Sequence, residues 1–140
     1  MSVIPDGAFG ERVRARLRDE QVIWLITTGA DGTPQPNPVW FVWDGAASLF
    51  VYNRPDAFRL AHIDARPAVA LNFDGDGRGG NIVVLSGSAR RAPDGPPAHE
   101  NPAYVAKYAA PMDRVSGSAE QFTQAYPVAV RIDIRRIRGH

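Results

Sequence analysis

Between Val22 and Asn53 the chain reads as three strands cut by two Asp-Gly turns, and this stretch limits the fold more than any other. Val22-Ile23-Trp24-Leu25-Ile26-Thr27-Thr28 is β-branched and aromatic, and it runs into Ala30-Asp31-Gly32-Thr33. Asp-Gly between apolar runs signals a tight hairpin, because the turn needs left-handed backbone that glycine adopts freely. A second strand over about Pro34 to Trp43 meets Asp44-Gly45, and a third covers Ser48 to Asn53. Val39, Phe41 and Trp43 occupy one alternating set while Trp40 and Val42 occupy the other. An open sheet with one wet face needs only one apolar set. A barrel whose outer face meets a helix, a partner subunit or a flat ligand needs both.

The remaining elements follow in order. Phe9, Val13 and Leu17 recur at helical spacing and predict an amphipathic helix over Ala8 to Asp19. Asp56 is placed to cap a helix running to about Ala65, which Pro67 stops. Strand four spans Ala68 to Phe73, the glycine-rich Asp74 to Gly80 is a loop, and a long strand runs from Asn81 to Arg91. Pro93 to Pro97 is a loop, and Asn101-Pro102 opens a helix to about Ala109. Ser118-Ala119-Glu120-Gln121 is a capping box for a short helix holding Phe122. Val128, Val130, Ile132 and Ile134 then alternate with Arg131, Asp133 and Arg135 in a half-buried strand. The class is β-rich α+β, with mainly antiparallel strands and short peripheral helices, and at 140 residues the chain is expected to form one domain.

Composition removes several functions. A formal charge of +1 gives no basic field for nucleic acid, and the arginines of the first helix read as a solvated face. With no cysteine there are no disulfides, thiol nucleophiles or cysteine metal sites. Met1 to Gly10 lacks a basic start followed by an apolar run, and no stretch approaches the ~20 apolar residues of a membrane helix, so a cytoplasmic protein is expected.

Gly75-x-Gly77-x-x-Gly80 matches the dinucleotide fingerprint by letter, but that motif turns a strand into a helix and here a strand follows. Asp74-x-Asp76 lacks the third oxygen ligand and the twelfth-position Glu of a calcium loop, since Arg78 and Leu85 stand there. His62, His99 and His140 are too scattered for a metal site, and Ser86-Gly87-Ser88 lies inside a strand pattern rather than at a nucleophile elbow. The chain therefore offers no self-sufficient catalytic group. Either a cofactor brings the chemistry or there is none.

One local conflict favours a cofactor. Arg59 falls in the first turn of the Asp56–Ala65 helix, with Arg54 just before it. A cation there opposes the helix dipole at a cost of a few tenths to ~1 kcal/mol. Free backbone N–H groups and two guanidinia would hold a phosphate; a local Arg59–Asp56 pair is the plainer alternative.

Trp24 to Arg91 resembles the pyridoxamine 5′-phosphate oxidase-like split-barrel superfamily, and specifically its F-420-dependent branch. The resemblance is carried by Trp-Leu-Ile-Thr-Thr-Gly-Ala-Asp-Gly-Thr-Pro at 24–34, Pro-Val-Trp-Phe-Val-Trp-Asp-Gly at 38–45 and Leu-Phe-Val-Tyr-Asn-Arg-Pro-Asp-Ala-Phe-Arg-Leu at 49–60. Arg66-Pro67-Ala68-Val69-Ala70-Leu71-Asn72-Phe73 and Ile82-Val83-Val84-Leu85-Ser86-Gly87-Ser88-Ala89 continue in the same order. It implies a split β-barrel that works as a homodimer, with cofactor sites in clefts between subunits. Asn37, Pro38, Val39 and Trp40 would lie along the isoalloxazine-like ring, Tyr52, Asn53 and Arg59 would hold the ribityl-phosphate, and Asn81 would reach the cofactor. Arg54 joins them on charge grounds alone, and Arg78, Arg90 and Arg91 are candidates for a longer anionic tail. Phe58 stands where pyridoxine-phosphate oxidases carry a second phosphate-binding arginine, and Arg136 to His140 is too short for their substrate-binding segment.

The resulting expectation is hydride transfer from coenzyme F-420 to a small electron-poor organic substrate, with Tyr52 a candidate proton donor. The alternatives are an FMN-binding oxidoreductase on the same fold, or a non-catalytic carrier of flavin, deazaflavin or haem.

Overall fold

A computed structural model describes residues 2–140; Met1, part of the stretch read above for a leader, lies outside the described residues. Seven strands make one sheet: β1 Ile23–Thr28, β2 Pro34–Val39, β3 Val42–Trp43, β4 Ser48–Asn53, β5 Ala68–Asn72, β6 Val83–Arg91 and β7 Val128–Gly139. Four α-helices accompany it: α1 Ala8–Asp19, α2 Phe58–Ala65, α3 Pro102–Ser116 and α4 Ala119–Ala125. Among the described residues no helix is long and apolar enough to cross a membrane.

The spatial order is β2-β1-β5-β6-β7-β4-β3, and every neighbouring pair is antiparallel. β2 and β3 sit at opposite ends of that order, yet only Trp40 and Phe41 separate them in the chain. The sheet must therefore curl until its two ends meet, giving a split half-barrel. The second strand expected over Pro34 to Trp43 is thus two strands, broken where it passes from one end of the sheet to the other. At the break Phe41 leaves the ladder, and its backbone N–H instead donates to the Tyr108 hydroxyl (2.9 Å). Its carbonyl accepts from Lys107 Nζ (3.0 Å), so two α3 side chains replace the missing strand partner.

β2 is an edge strand carrying Pro34, Pro36 and Pro38, residues with no N–H to offer a further strand. A bulge at Ser86/Gly87 leaves Arg135 as an extra residue on β7 and bends it toward β4. Glycine is required at 87, because a Cβ there would overlap the Asp133 carbonyl.

The alternating residues divide between two cores. Inside the curl lie Leu25, Leu49, Val51, Leu71, Leu85, Val130 and Ile132, joined by Val13 and Leu17 of α1 and by Leu60 and Ile63 of α2. The second core is outside. Val42 and Tyr52 point away from the first cluster and are buried with Tyr104, Tyr108 and Met112 of α3 and Phe122 of α4. The double apolar pattern of the second and third strands therefore has its explanation in helices of the same chain.

α3 runs to Ser116, seven residues beyond the expected end, and it does so through Pro111. That proline removes the hydrogen bond to the Lys107 carbonyl, but burial of Tyr104, Tyr108, Pro111 and Met112 keeps the helix going. Asn101 caps it by accepting from Tyr104 N–H (3.3 Å), and Ser118 caps α4 by accepting from Gln121 N–H (3.1 Å). The helix expected from Asp56 begins at Phe58 instead. Its N-cap is Ala57, and no side chain caps it.

Candidate functional site

The start of α2 differs from an ordinary helix start. Its first turn holds no acid and no capping side chain, so its leading N–H groups lack the partner that Asp56 was expected to give. Asp56 is 88% exposed and lies 4.0 Å from Arg54. Arg59 forms no ion pair among the described residues, so the Arg59–Asp56 pair is not made.

Arg59 is held from one side only. Its Nε donates to Asn53 Oδ1 at 2.6 Å, while among the described residues its two terminal nitrogens have no acceptor. Asn53 is 1% exposed, and its Nδ2 donates to the carbonyls of Val51 (3.1 Å) and Val128 (3.0 Å). Those two bonds fix the amide orientation, so Asn53 is spent on aiming Arg59 rather than on reaching a ligand. Burial lowers the Arg59 pKa from its ordinary value, and nearby Tyr126 opposes that shift. A half-buried guanidinium with a free fork and no carboxylate is poorly compensated electrostatically, and an anion would correct that.

Arg59 lines a pocket of about 200 Å3 together with Pro38, Val39, Trp40, Tyr52 and Tyr126; Tyr104, Phe122 and Val115 complete its wall. The wall is a ladder of aromatic rings. Trp40 stacks on Tyr108 (4.9 Å, 11°) and on Phe122 (5.6 Å, 16°), and Phe122 stacks on Tyr126 (4.5 Å, 18°). Arg54 lies over the outer face of this ladder, 5.4 Å from the Tyr126 ring.

Five residues singled out in the sequence thus share one pocket: Pro38, Val39, Trp40, Tyr52 and Arg59. Asn53 stands behind Arg59, and Arg54 stands at the rim through Tyr126. Asn37 is half-buried one residue before the pocket wall, opposite Leu25 on β1. Asn81 is elsewhere. It precedes the end of β6 where Val83 pairs with Gly139, whereas Arg91, roughly 25 Å along the strand, pairs with Val130 near Asn53. Its backbone is left-handed (φ 54°), and its carbonyl accepts from Arg16 of α1 (3.0 Å). Among the tail candidates, Arg91 is tied to Asp64 (2.9 Å) and Arg78 sits in a loop organised by Asp76, which accepts from the N–H groups of Arg78 and Gly80.

Tyr52 is poorly suited to give up a proton. Its hydroxyl donates to Pro96 O (2.8 Å) and accepts from Asn101 Nδ2 (3.1 Å), and burial pushes its pKa up. Tyr104, Val115, Phe122 and Tyr126 escaped the sequence reading. No local pattern marks them in the sequence: the four tyrosines, Tyr52, Tyr104, Tyr108 and Tyr126, gather around this pocket only once the chain folds.

Several solved structures share the fold. An F420 reductase superposes with a TM-score of 0.71 at 23% identity, covering 96% of this chain and 98% of that one. An FAD-binding protein from Mesorhizobium loti gives 0.64 at 23% identity over 91% and 89% of the two chains. HutZ, the haem storage protein of Vibrio cholerae, gives 0.63 at 12% identity over 99% and 95%. No curated protein matches in sequence. The family model described as pyridoxamine 5′-phosphate oxidase matches residues 9–140, nearly the whole chain, and with the split half-barrel this places the protein in the pyridoxamine 5′-phosphate oxidase family.

Proposed function

We propose that the pocket takes the phosphate end of a flavin-type cofactor, that the cofactor is coenzyme F-420, and that two copies of the chain share each site. The observation that carries this is Arg59: a guanidinium aimed by a buried asparagine, with its fork unpaired, at an uncapped helix start. Family membership and the F420 reductase and FAD-binding relatives of the fold support a flavin-type ligand.

The residues fit one end of such a molecule. A volume of about 200 Å3 is below the ~300–1,000 Å3 typical of small-molecule sites, so one chain encloses a phosphate or a ring edge and not the whole cofactor. Beyond the pocket the outer face of β1, β5 and β6 carries Trp24, Ile26, Ala70 and Val84, none of which belongs to either buried cluster. Pro38 pairs with Trp24 and also lines the pocket, so this bare face leads directly into the site. A second copy seated there would supply the missing walls.

In this reading Arg59 holds phosphate, Asn53 fixes its direction and Arg54 adds positive charge at the rim. Trp40, Phe122 and Tyr126 exclude water beside the ring. When bound, F-420 supplies a hydride to an electron-poor organic acceptor. Tyr52 is not placed to move a proton, since its own is held by the Pro96 carbonyl. A carrier without turnover is the second reading, and that same committed hydroxyl favours it.

Side-by-side titration of cofactor-free protein with F-420 and FMN, followed by fluorescence, tests the assignment. Tighter F-420 binding with hydride transfer to nitro or enone acceptors is expected. Tighter FMN binding moves the protein to a flavin role, F-420 binding without transfer makes it a carrier, and no binding of either removes the proposal.

A further inference from the structure

Arg136 and Arg138, near the end of β7, are exposed and form no ion pair among the described residues. Strand register puts Arg138 in one row with Val84, Asn72, Trp24 and Pro38, and Arg136 in the next with Ser86, Ala70, Ile26 and Pro36. Each row crosses five strands of the bare face, with β5 in the middle, proline at the β2 end and arginine at the β7 end. Four strand spacings of about 4.8 Å set those ends roughly 19 Å apart along the sheet, so Arg138 does not reach the pocket beside Pro38 in its own chain. Asp74 shares a groove with Arg138, but its carboxylate accepts from Trp24 Nε1 (3.1 Å) and forms no ion pair. The pocket itself has Arg59 as its one charged lining residue.

The rows and their charges select how a second copy sits on this face. It does not extend the sheet at β2, where Pro34, Pro36 and Pro38 offer no N–H. It stacks face on, and in an aligned stack the two-fold axis runs either across the strands or along them. An axis across the strands lays β7 on β7 and crowds four unpaired guanidinia together, with no acid in either row to offset them. An axis along β5 exchanges the ends of every row. Arg136 of one copy then faces Pro36 of the other, and Arg138 faces Pro38 at the wall of the Arg59 pocket.

We propose that the two copies pack about an axis along β5, and that Arg138 of each copy completes the anion site of the other. The inference rests on the shared-site reading of the Arg59 pocket. Arg59 holds one anionic group from within its own chain, and Arg138 meets a second from across the interface. The site is thereby suited to a ligand that carries more than one negative charge along its length. With the site empty the two cations repel, so an anionic ligand and the dimer strengthen each other.

Two mixing experiments test it. The chain has no cysteine, so Pro36→Cys and Arg136→Cys each introduce a single thiol. A bis-maleimide about 10 Å long, the spacing of facing sheets, should join the two variants when they are mixed and leave either alone unjoined. Arg136→Cys joined to itself, or no joining in any mixture, overturns the axis whatever the protein binds. Arg59→Ala and Arg138→Gln should each bind F-420 about tenfold or more weakly than the parent. Mixed with subunit exchange, they should regain parental affinity at about a quarter of the sites, because each hybrid dimer has one site with both cations and one with neither. Weakened single variants that regain nothing on mixing overturn the role of Arg138 across the interface. A parent that fails to bind F-420 ends the cofactor reading instead, and the cross-link still decides the axis.

Discussion

The outside of the half-barrel has two halves that the chain treats in opposite ways. Around Trp40, Val42, Phe50 and Tyr52 it is covered by α3 and α4, which bring Tyr104, Tyr108, Met112 and Phe122 down onto the sheet. Around Trp24, Ile26, Ala70 and Val84 no helix contributes to a buried cluster. Registered rows run Pro38–Trp24–Asn72–Val84–Arg138 and Pro36–Ile26–Ala70–Ser86–Arg136 across five strands. The covered half is a core and contributes stability. The bare half carries apolar and small residues at its centre, with Asn72 and Ser86 among them and Arg136 and Arg138 at one edge, an apolar patch with a polar rim of the kind that marks an interaction face. The Arg59 pocket lies where the two meet, at Pro38, Val39 and Trp40. Such a boundary can be rigid on one side and completed from the other.

The largest effect should separate the halves by stability. Phe122→Ala removes a ring that is 3% exposed and stacked on both Trp40 and Tyr126, and should cost about 3–4 kcal/mol in urea unfolding. Ile26→Ala on the half-buried bare face should cost only about 1 kcal/mol at low protein concentration. Similar losses at both sites would erase the distinction.

A change at the boundary should act on the ligand and spare the fold. Arg59→Ala should weaken F-420 binding by about 2–3 kcal/mol, roughly 30- to 150-fold in Kd, with unfolding free energy altered by less than about 1 kcal/mol. An unchanged Kd would remove Arg59 from the site.

The smallest effect concerns the seam that α3 makes with the strand break. Lys107 titrates near 8 in the fold against about 10.5 when unfolded, so between those values the unfolded chain binds more protons. The Lys107 contribution to stability is therefore poorest at neutral pH and improves as pH rises from about 8 toward 10. Above about 10 the opposite sign enters, because Tyr104 and Tyr108 are held protonated by burial in the fold while unfolded tyrosines ionise. Lys107→Met should flatten the rise between pH 8 and 10 in thermal unfolding, and an unaltered slope would show that Nζ titrates as in water.

Much of the fold was legible in the sequence, and the reasons for the rest are physical. The Asp-Gly hairpin, the order of strands and helices and the double apolar pattern of Val39 to Trp43 all rest on local spacing, which survives folding. The break at Trp40–Phe41 does not. It depends on Tyr108 and Lys107, more than sixty residues away, offering Phe41 the hydrogen bonds a strand would have made. The extension of α3 through Pro111 is likewise decided by tertiary burial against local preference. Asp56 failed as a cap because the helix starts two residues later, at Phe58. Arg59 stood out because a cation at a helix start is a local conflict; Phe122 on α4 and Tyr126 just after it did not, because an aromatic residue on or beside a helix reads as ordinary core.

The central claim is that the pocket is half a site, completed by a second copy on the bare face. Its direct test is Ile26→Arg, which places a charge in the middle of that face and leaves Arg59 untouched. Sedimentation and F-420 titration would be run on the same samples. The account predicts a dimeric parent that binds F-420 and a monomeric variant whose affinity falls by about a hundredfold or more. A parent that sediments as a monomer, or a monomeric variant that binds F-420 as tightly as the parent, would contradict it.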